Sequence, residues 1–555
     1  MSSDPKHLAP SGSHSQPAGR VNARLKRRWP RRALIAANVL VLLCLVAAAS
    51  AYGYVRHVIN QIAVGPSPHV IGPGDYTSGT VPQSQRREKD GMQAENILLI
   101  GNETRQGLTP QEQREFGSSL TYSGTLADII MILHLDPVNE TASILSIPRD
   151  LFSPMPTGSP VGPYQKIDAA LNDGAEGPDN LVAAIEQDYG IPINGYIELN
   201  FNGLINSVNA LGGIYVYFPD PVWDAESLLN ITSAGCKHLD GFEALALVRA
   251  RHLQYDPPGD DEPKSDWPYD PESDLARIVR THTFMKIVAD RAIKEGKTNP
   301  ITAASFLDAI SKQITVNQAL KNQLLSLVAY YHNVNPALAK ETTLSTSGVP
   351  DSYYYGGYEI GDVLFPVQPD DNNVIRAWDP EAFPKDVAPR SVSVVSLTGS
   401  YYAAADAGEA LASHGLKVAG ESVGEEPGSP TETLVLYHAK QVAMALDVMK
   451  YLSGAVMMEE SSAVPAGTVQ VDLGSLVTVS AKEVPTTTTS SAVATTIAPT
   501  TVPTTVPTTA TTTASTTTAS TAHPAVTTTT VPTPDGVVSA SSDQEEPWDP
   551  RACPS

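Results

Sequence analysis

Cysteine is scarce in this chain: its 555 residues carry three, Cys44, Cys236 and Cys553. No spacing of Cys with His suggests a zinc site. Positive charge is short as well. The formal net charge is -23 even though Arg20, Arg24, Lys26, Arg27, Arg28, Arg31 and Arg32 crowd the N-terminal arm. The rest is therefore strongly acidic, which argues against a nucleic-acid binder, whose affinity needs basic groups opposite phosphates. Arginines that cluster in so acidic a body become correspondingly informative. A chain of this length is too long for one hydrophobic core, so at least two folded domains with non-globular flanks are expected.

Residues 1–32 read as a basic cytoplasmic tail. Residues 33–55 carry no charge and are long enough to cross a hydrocarbon core as a transmembrane helix. A cleaved signal peptide is the competing reading, through the small residues at 47–51; the length of the apolar run favours an uncleaved anchor. The basic cluster before the span, with only Arg56 close behind it, puts the N-terminus in the cytoplasm and the body outside the cell membrane. Residues 56–90, rich in Gly, Pro and Ser, read as a stalk. Outside, Cys236 and Cys553 meet an oxidising compartment, where they either pair or remain two unrelated thiols.

From residue 95 the pattern changes. Short apolar runs at 96–100, 128–135 and 142–147 read as strands buried on both faces. Apolar residues at three- and four-residue spacing predict helices over 180–189 and 199–211. Strands alternating with helices indicate a layered α/β domain, residues 91–385, with 300–389 as its helical and irregular finishing elements. A small α+β unit follows at 390–480. Its strands at 391–397, 417–422, 432–437 and 468–473 and helices at 402–414 and 439–452 give the order β-α-β-β-α-β. It contains no recognisable catalytic constellation. Residues 484–555, rich in Thr and Pro, cannot bury a core and read as a disordered, extended tail.

Guanidinium groups grip phosphate oxygens in a fork and stay charged at any relevant pH. Arg249 and Arg251 share a side if their segment is extended and diverge if it is helical. Arg277 and Arg280, three apart, fall on one face of a helix predicted over 274–289. Arg149 ends a buried strand, where α/β sheets place ligand-binding groups. Taken singly, each is more commonly a surface ion-pair partner. Glu103, just past the first strand, and Asp128, at the start of the second, converge on one hard cation if those strands are neighbours; otherwise Glu103 is a turn residue and Asp128 a cap.

The segments 96–105, 126–132, 145–150 (with its Ser-Ile-Pro-Arg-Asp core), 166–170, 210–216, 239–252 and 274–284 resemble, in order and spacing, the LytR-CpsA-Psr family. Residues 390–475 look like the C-terminal domain often appended to it. The resemblance implies a layered α-β-α catalytic domain with a central mixed sheet. It implies transfer of a glycopolymer from a polyprenyl-diphosphate carrier to a peptidoglycan hydroxyl, with Mg²⁺ as cofactor and Mn²⁺ as the other candidate. On the matching positions, Asp128, Arg149, Arg249 and Arg251 are implied to be catalytic. Arg105, Lys166, Arg277 and Arg280 are implied to bind the diphosphate, and Glu103 and Asp128 the metal. Asp128 alternatively acts as base for the acceptor hydroxyl.

The chain departs from the family pattern at four places. Glu103 stands where aspartate is usual, Leu126 where arginine is often found, Thr281 and His282 where glutamines are usual, and an acidic insert, 256–272, separates Arg251 from Arg277. These departures predict an altered substrate or weakened catalysis. A non-catalytic lipid-glycan binder or envelope-related attenuator needs the same pocket without turnover. A mucin-like type II membrane protein is the remaining reading, prompted by the Thr-Pro tail and the sequons at Asn102, Asn139 and Asn230.

Overall fold

The computed structural model describes residues 49–50, 52–66, 88–104, 125–172, 174–257, 263–271, 274–331, 334–335, 338–348, 352–355, 357–424, 430–482, 538–540 and 546–554. Most of the apolar segment 33–55, most of the stalk and the greater part of the Thr/Pro-rich tail lie outside them, as does Arg105. Among the described residues no helix is long and apolar enough to cross a membrane.

The fold is mixed α/β, built on a seven-stranded sheet. From edge to edge its strands are Ala63–Val64, Ile314–Val316, Gly195–Asn200, Glu95–Asn102, Ala127–Asp136, Thr141–Ser146 and Lys340–Thr343. Strand 95–102 runs parallel to 195–200 and antiparallel to 127–136, so the sheet is mixed. The apolar run Ile97 to Ile100 serves two cores because successive side chains leave opposite faces of a strand. Leu98 and Ile100 join the large core with helix Gly177–Tyr189. Ile97 joins a smaller one with Val316, Leu320 and Leu327 beneath helix Gln318–Tyr331. Helix 177–189 stops at Gly190, whose φ of 66° supplies the left-handed turn that lets its N–H reach the Glu186 carbonyl.

Three sequence expectations change. Ala63–Val64, expected in a stalk, pairs in parallel with Ile314–Val316 at the sheet edge, and Val58 and Ile62 beside it are buried. Residues 199–200, expected to open a helix, end a strand instead; Asn200 caps helix Phe201–Ala210 by accepting the Gly203 N–H. The C-terminal unit has two more strands than β-α-β-β-α-β, Leu452–Glu460 and Val477–Val479, which pair with each other antiparallel. Helix Val442–Met449 stops early, and Leu452–Glu460 lies parallel to Thr433–Tyr437.

The expected boundary near residue 390 does not interrupt the packing. Strand Leu364–Gln368 pairs with Leu452–Glu460, carrying the C-terminal sheet back into the preceding segment. Leu181 and Ile185 share one apolar core with Val442 and Leu446. The last described residues belong to the same body: Arg551–Ala552 pairs with Ile214–Phe218, and Cys236 is bonded to Cys553. The extended-tail expectation therefore fails for residues 546–554.

A candidate anion site lined by arginines

Asp128 sits where the pairing of strands 95–102 and 127–136 slips: Gly101 faces Ile129 and Asn102 faces Ala127. Asp128 is the extra residue of a β-bulge, a device that re-aims a side chain out of the ladder. Glu103 follows directly, with its N–H on the Leu126 carbonyl at 3.3 Å. Arg149 comes from the turn after strand Thr141–Ser146. Its Nη1 donates to Asp128 Oδ1, while its Nε lies 3.5 Å from Asp150 Oδ2 and 3.9 Å from Asp274 Oδ1.

Arg249 is the last residue of helix Gly241–Arg249, which a capping box of Asp240 and Glu243 begins. The chain then turns extended at Ala250 (φ -64°, ψ 107°), so Arg249 and Arg251 reach the same cavity. Arg249 lies over the Phe201 ring at 5.0 Å. Arg251 donates to Asp150 Oδ2 at 3.2 Å and has its Nε 3.1 Å from Asp274 Oδ1. Arg277 lies in the first turn of helix Asp274–Thr298, where its Nε donates to Asp274 Oδ1 at 2.9 Å.

A cavity of about 160 Å³ is lined by Glu103, Asp128, Arg149, Arg249, Arg251 and Arg277, together with Glu226, Ser227 and His252. Asp150 and Asp274 stand behind the arginines as anionic struts. Burial acts to raise the Asp274 pKa, but Arg277, Arg251 and Arg149 outweigh it and hold the carboxyl at about 2. Burial likewise opposes the charge on Arg149, and Asp128, Asp150 and Asp274 overcome it, so its pKa is raised. Four fixed cations around a small polar cavity can hold a multiply charged anion, phosphate groups above all. Among the described residues no group of three or more His, Cys, Asp and Glu is placed to hold a metal. Glu103 and Asp128 fit a hard cation only as part of its shell, with phosphate oxygens and water completing it.

Two of the expected diphosphate ligands are elsewhere. Lys166 does not line the cavity; its Nζ donates to Asp150 Oδ1 at 3.0 Å, which places it behind the arginines. Arg280 is fully buried, with Nη1 2.5 Å from Asp270 Oδ2 and 3.1 Å from Asp549 Oδ1. It shares the helix with Arg277 as expected, but these partners aim it away from the cavity. Asp150 and Asp274, Glu226, Ser227 and His252 were not singled out from sequence. Asp274 left a signal by standing three residues before Arg277 on a helix, and Asp150 and His252 close the family-like segments 145–150 and 239–252.

The departures at Thr281 and His282 are packing positions. Thr281 is buried and donates to the Arg277 carbonyl at 2.8 Å. The His282 ring is buried, 2.5 Å from Ser146 Oγ and 3.9 Å from Glu341, tying the helix to the sheet. Burial, assisted by Lys286, lowers the His282 pKa to about 4. A histidine depressed below its unfolded value near 6.5 favours the fold above that pH and loses its contribution as pH falls from 6.5 toward 4. The loss is expected to reach roughly 3 kcal/mol, measured by urea unfolding at pH 7 and pH 4. It should be absent in His282→Gln. The acidic insert is anchored too: Gln254 Nε2 donates to the Trp267 carbonyl at 2.8 Å, and Asp270 holds Arg280. The Asn102 sequon is closed to modification, since that side chain is buried and donates to Glu198 Oε1 at 2.6 Å.

The model of the LytR_cpsA_psr family matches residues 75–362. The chain belongs to this family. It is 29% identical over 269 residues to the probable cell wall biosynthesis protein LcpB of Corynebacterium glutamicum, covering 48% of this chain and 57% of that one. It is 37% identical over 129 residues to the polyisoprenyl-teichoic acid–peptidoglycan teichoic acid transferase TagV of Bacillus subtilis, covering 22% and 32%. The chain thus spans less than two thirds of these relatives' length. A solved LytR-Csp2A-Psr enzyme from Actinomyces oris is similar over 52% of this chain and 92% of its own, at 24% identity and a TM-score of 0.38.

Proposed function

We propose that this LytR-CpsA-Psr protein is a phosphotransferase that moves a glycopolymer from a polyprenyl-diphosphate carrier to peptidoglycan. The observation that carries the reading is the convergence of Arg149, Arg249, Arg251 and Arg277 with Asp128 and Glu103 on one cavity. The arginines hold the diphosphate, and a peptidoglycan hydroxyl attacks the phosphorus that bears the glycan. The bridging P–O bond breaks, polyprenyl phosphate leaves, and a phosphodiester joins glycan to wall. Such a transfer depends mainly on positioning and charge neutralisation. Asp128 is near enough to the phosphate-binding arginines to take the acceptor's proton. Glu103 and Asp128 are the residues that would hold Mg²⁺, with Mn²⁺ the other candidate. When bound, the ion would neutralise charge on the leaving phosphate. The similarity to polyisoprenyl-teichoic acid–peptidoglycan teichoic acid transferases supports the same class of substrate.

A membrane anchor at 33–55 with the body outside the cell places the site beside a lipid-linked donor. The Cys236–Cys553 bond fits that side of the membrane, because disulfides persist in oxidising compartments. Residues 390–480 are the appended C-terminal domain, packed on the catalytic one.

The experiment is release of polyprenyl phosphate by the purified chain given a lipid-linked glycan, peptidoglycan fragments and Mg²⁺. Leu126→Arg supplies a guanidinium beside Glu103 and is expected to raise the rate on the order of tenfold, the worth of one charged hydrogen bond. An unchanged rate would mean that Leu126 does not limit catalysis.

A further inference from the structure

The C-terminal residues 546–554 stand outside the family match, yet they reach the candidate site through a continuous set of contacts. Arg551–Ala552 adds an antiparallel edge to strand Ile214–Phe218, whose other edge pairs with Gly235–Leu239. Cys236 on the latter strand is bonded to Cys553, with the Cα atoms 5.7 Å apart. Trp548 stacks flat on Tyr255 at 4.2 Å. Between these anchors lies Asp549, 1% exposed, which accepts from Arg280 Nη1 at 3.1 Å. Nη2 of the same guanidinium donates to the Ala250 carbonyl at 2.8 Å. Ala250 is the residue between Arg249 and Arg251.

We propose that residues 546–554 form a disulfide-held clasp in which Asp549, acting through Arg280, fixes the backbone that presents Arg249 and Arg251. The inference rests on the reading of those two arginines as diphosphate ligands. Asp549 is a positioning residue, since it touches no cavity-lining group in the site. Both carboxylates accept from Nη1 of Arg280, which fixes the guanidinium with Nη2 aimed at the Ala250 carbonyl. Without the covalent bond, the clasp is a two-residue strand, one stacked ring and one ion pair, and ordering nine residues opposes it. The disulfide, closing 317 residues of sequence, removes much of that entropic opposition.

The test uses the full chain with a specific protease site inserted within residues 541–545, so that strand Val538–Ala540, which pairs with Thr346–Gly348, stays on the N-terminal side of the cut. After cleavage the C-terminal fragment remains attached through the Cys236–Cys553 bond, and a phosphine reductant releases it as two thiols form. Two properties are read at a temperature well below unfolding: hydrogen exchange over residues 249–255 and affinity for inorganic pyrophosphate. The cleaved, oxidised chain is expected to match the uncleaved one. Release should speed exchange over 249–255 by about tenfold and weaken pyrophosphate binding by about tenfold. The uncleaved chain with reductant should change less in both. Exchange over 249–255 that stays the same after release overturns the clasp. If exchange rises but no form of the chain binds pyrophosphate, the clasp stands and the diphosphate reading falls. Asp549→Asn, left uncleaved and oxidised, separates positioning from bulk: pyrophosphate binding should weaken roughly threefold with little change in melting temperature. Unweakened binding would remove Asp549 from that role.

Discussion

Arg149→Ala is expected to lower kcat/KM for glycopolymer transfer on the order of 10³-fold, the usual scale for losing a guanidinium that neutralises a transferring phosphoryl group. The side chain is 14% exposed and stands among Asp128, Asp150 and Asp274. Removing it takes a fork from the diphosphate and leaves Asp128 and Glu103 facing one cavity with one cation fewer between them. Arg149→Lys restores the charge without the planar fork, so it should recover no more than about tenfold. Initial rates of polyprenyl phosphate release check both variants. An alanine variant within tenfold of the parent would take Arg149 out of the reaction.

Arg280→Met should show the opposite balance, with a large effect on stability. Arg280 and Asp270 have side chains that are 0% exposed, and Asp549 is 1% exposed. Methionine fills comparable volume but strands two buried carboxylates, and breaking a buried charged cluster this way typically costs about 3–5 kcal/mol. Burial already raises the Asp549 pKa, with Arg280 pulling it down. In the variant that restraint is gone. A carboxylate whose folded pKa exceeds its unfolded value loses stability as pH rises, so the deficit should be smallest near pH 4 and grow toward pH 7. Urea unfolding at the two pH values measures this. A loss below about 1 kcal/mol at pH 7 would mean that water or a shifted partner compensates the pair.

The contrast between these two arginines marks where sequence reading stops. Arg149, Arg249 and Arg251 could be grouped only through the family resemblance; local periodicity put Arg149 at the end of a strand and left Arg249 and Arg251 either side by side or diverging. The runs at 96–100, 128–135 and 142–147 became strands because apolar residues there are continuous and leave no helical face. Arg277 and Arg280 share their helix, yet only one lines the cavity. What decides this is the pair Asp270 and Asp549, the second 269 residues away, and no local pattern announces such partners. The strand Leu452–Glu460 was hidden for a related reason. Helix Val442–Met449 and that strand are separated by Lys450 and Tyr451 alone, so the apolar residues ran on without a visible stop. Cys236 and Cys553 were equally open to pairing or separation, because an extended tail gives no distance; strand pairing at Arg551–Ala552 supplies it. The Asp128 bulge was also beyond reach, since a register shift depends on both strands at once.

One measurement bears most directly on the proposed transfer. The full chain in detergent is mixed with a labelled glycan on polyprenyl diphosphate, peptidoglycan fragments and Mg²⁺, and label joined to peptidoglycan is followed beside an Asp128→Asn variant. Label should appear with the metal, disappear on chelation, and fall by roughly two orders of magnitude or more in the variant. A parent chain that binds the lipid-linked glycan and moves no label to peptidoglycan would contradict the transferase reading.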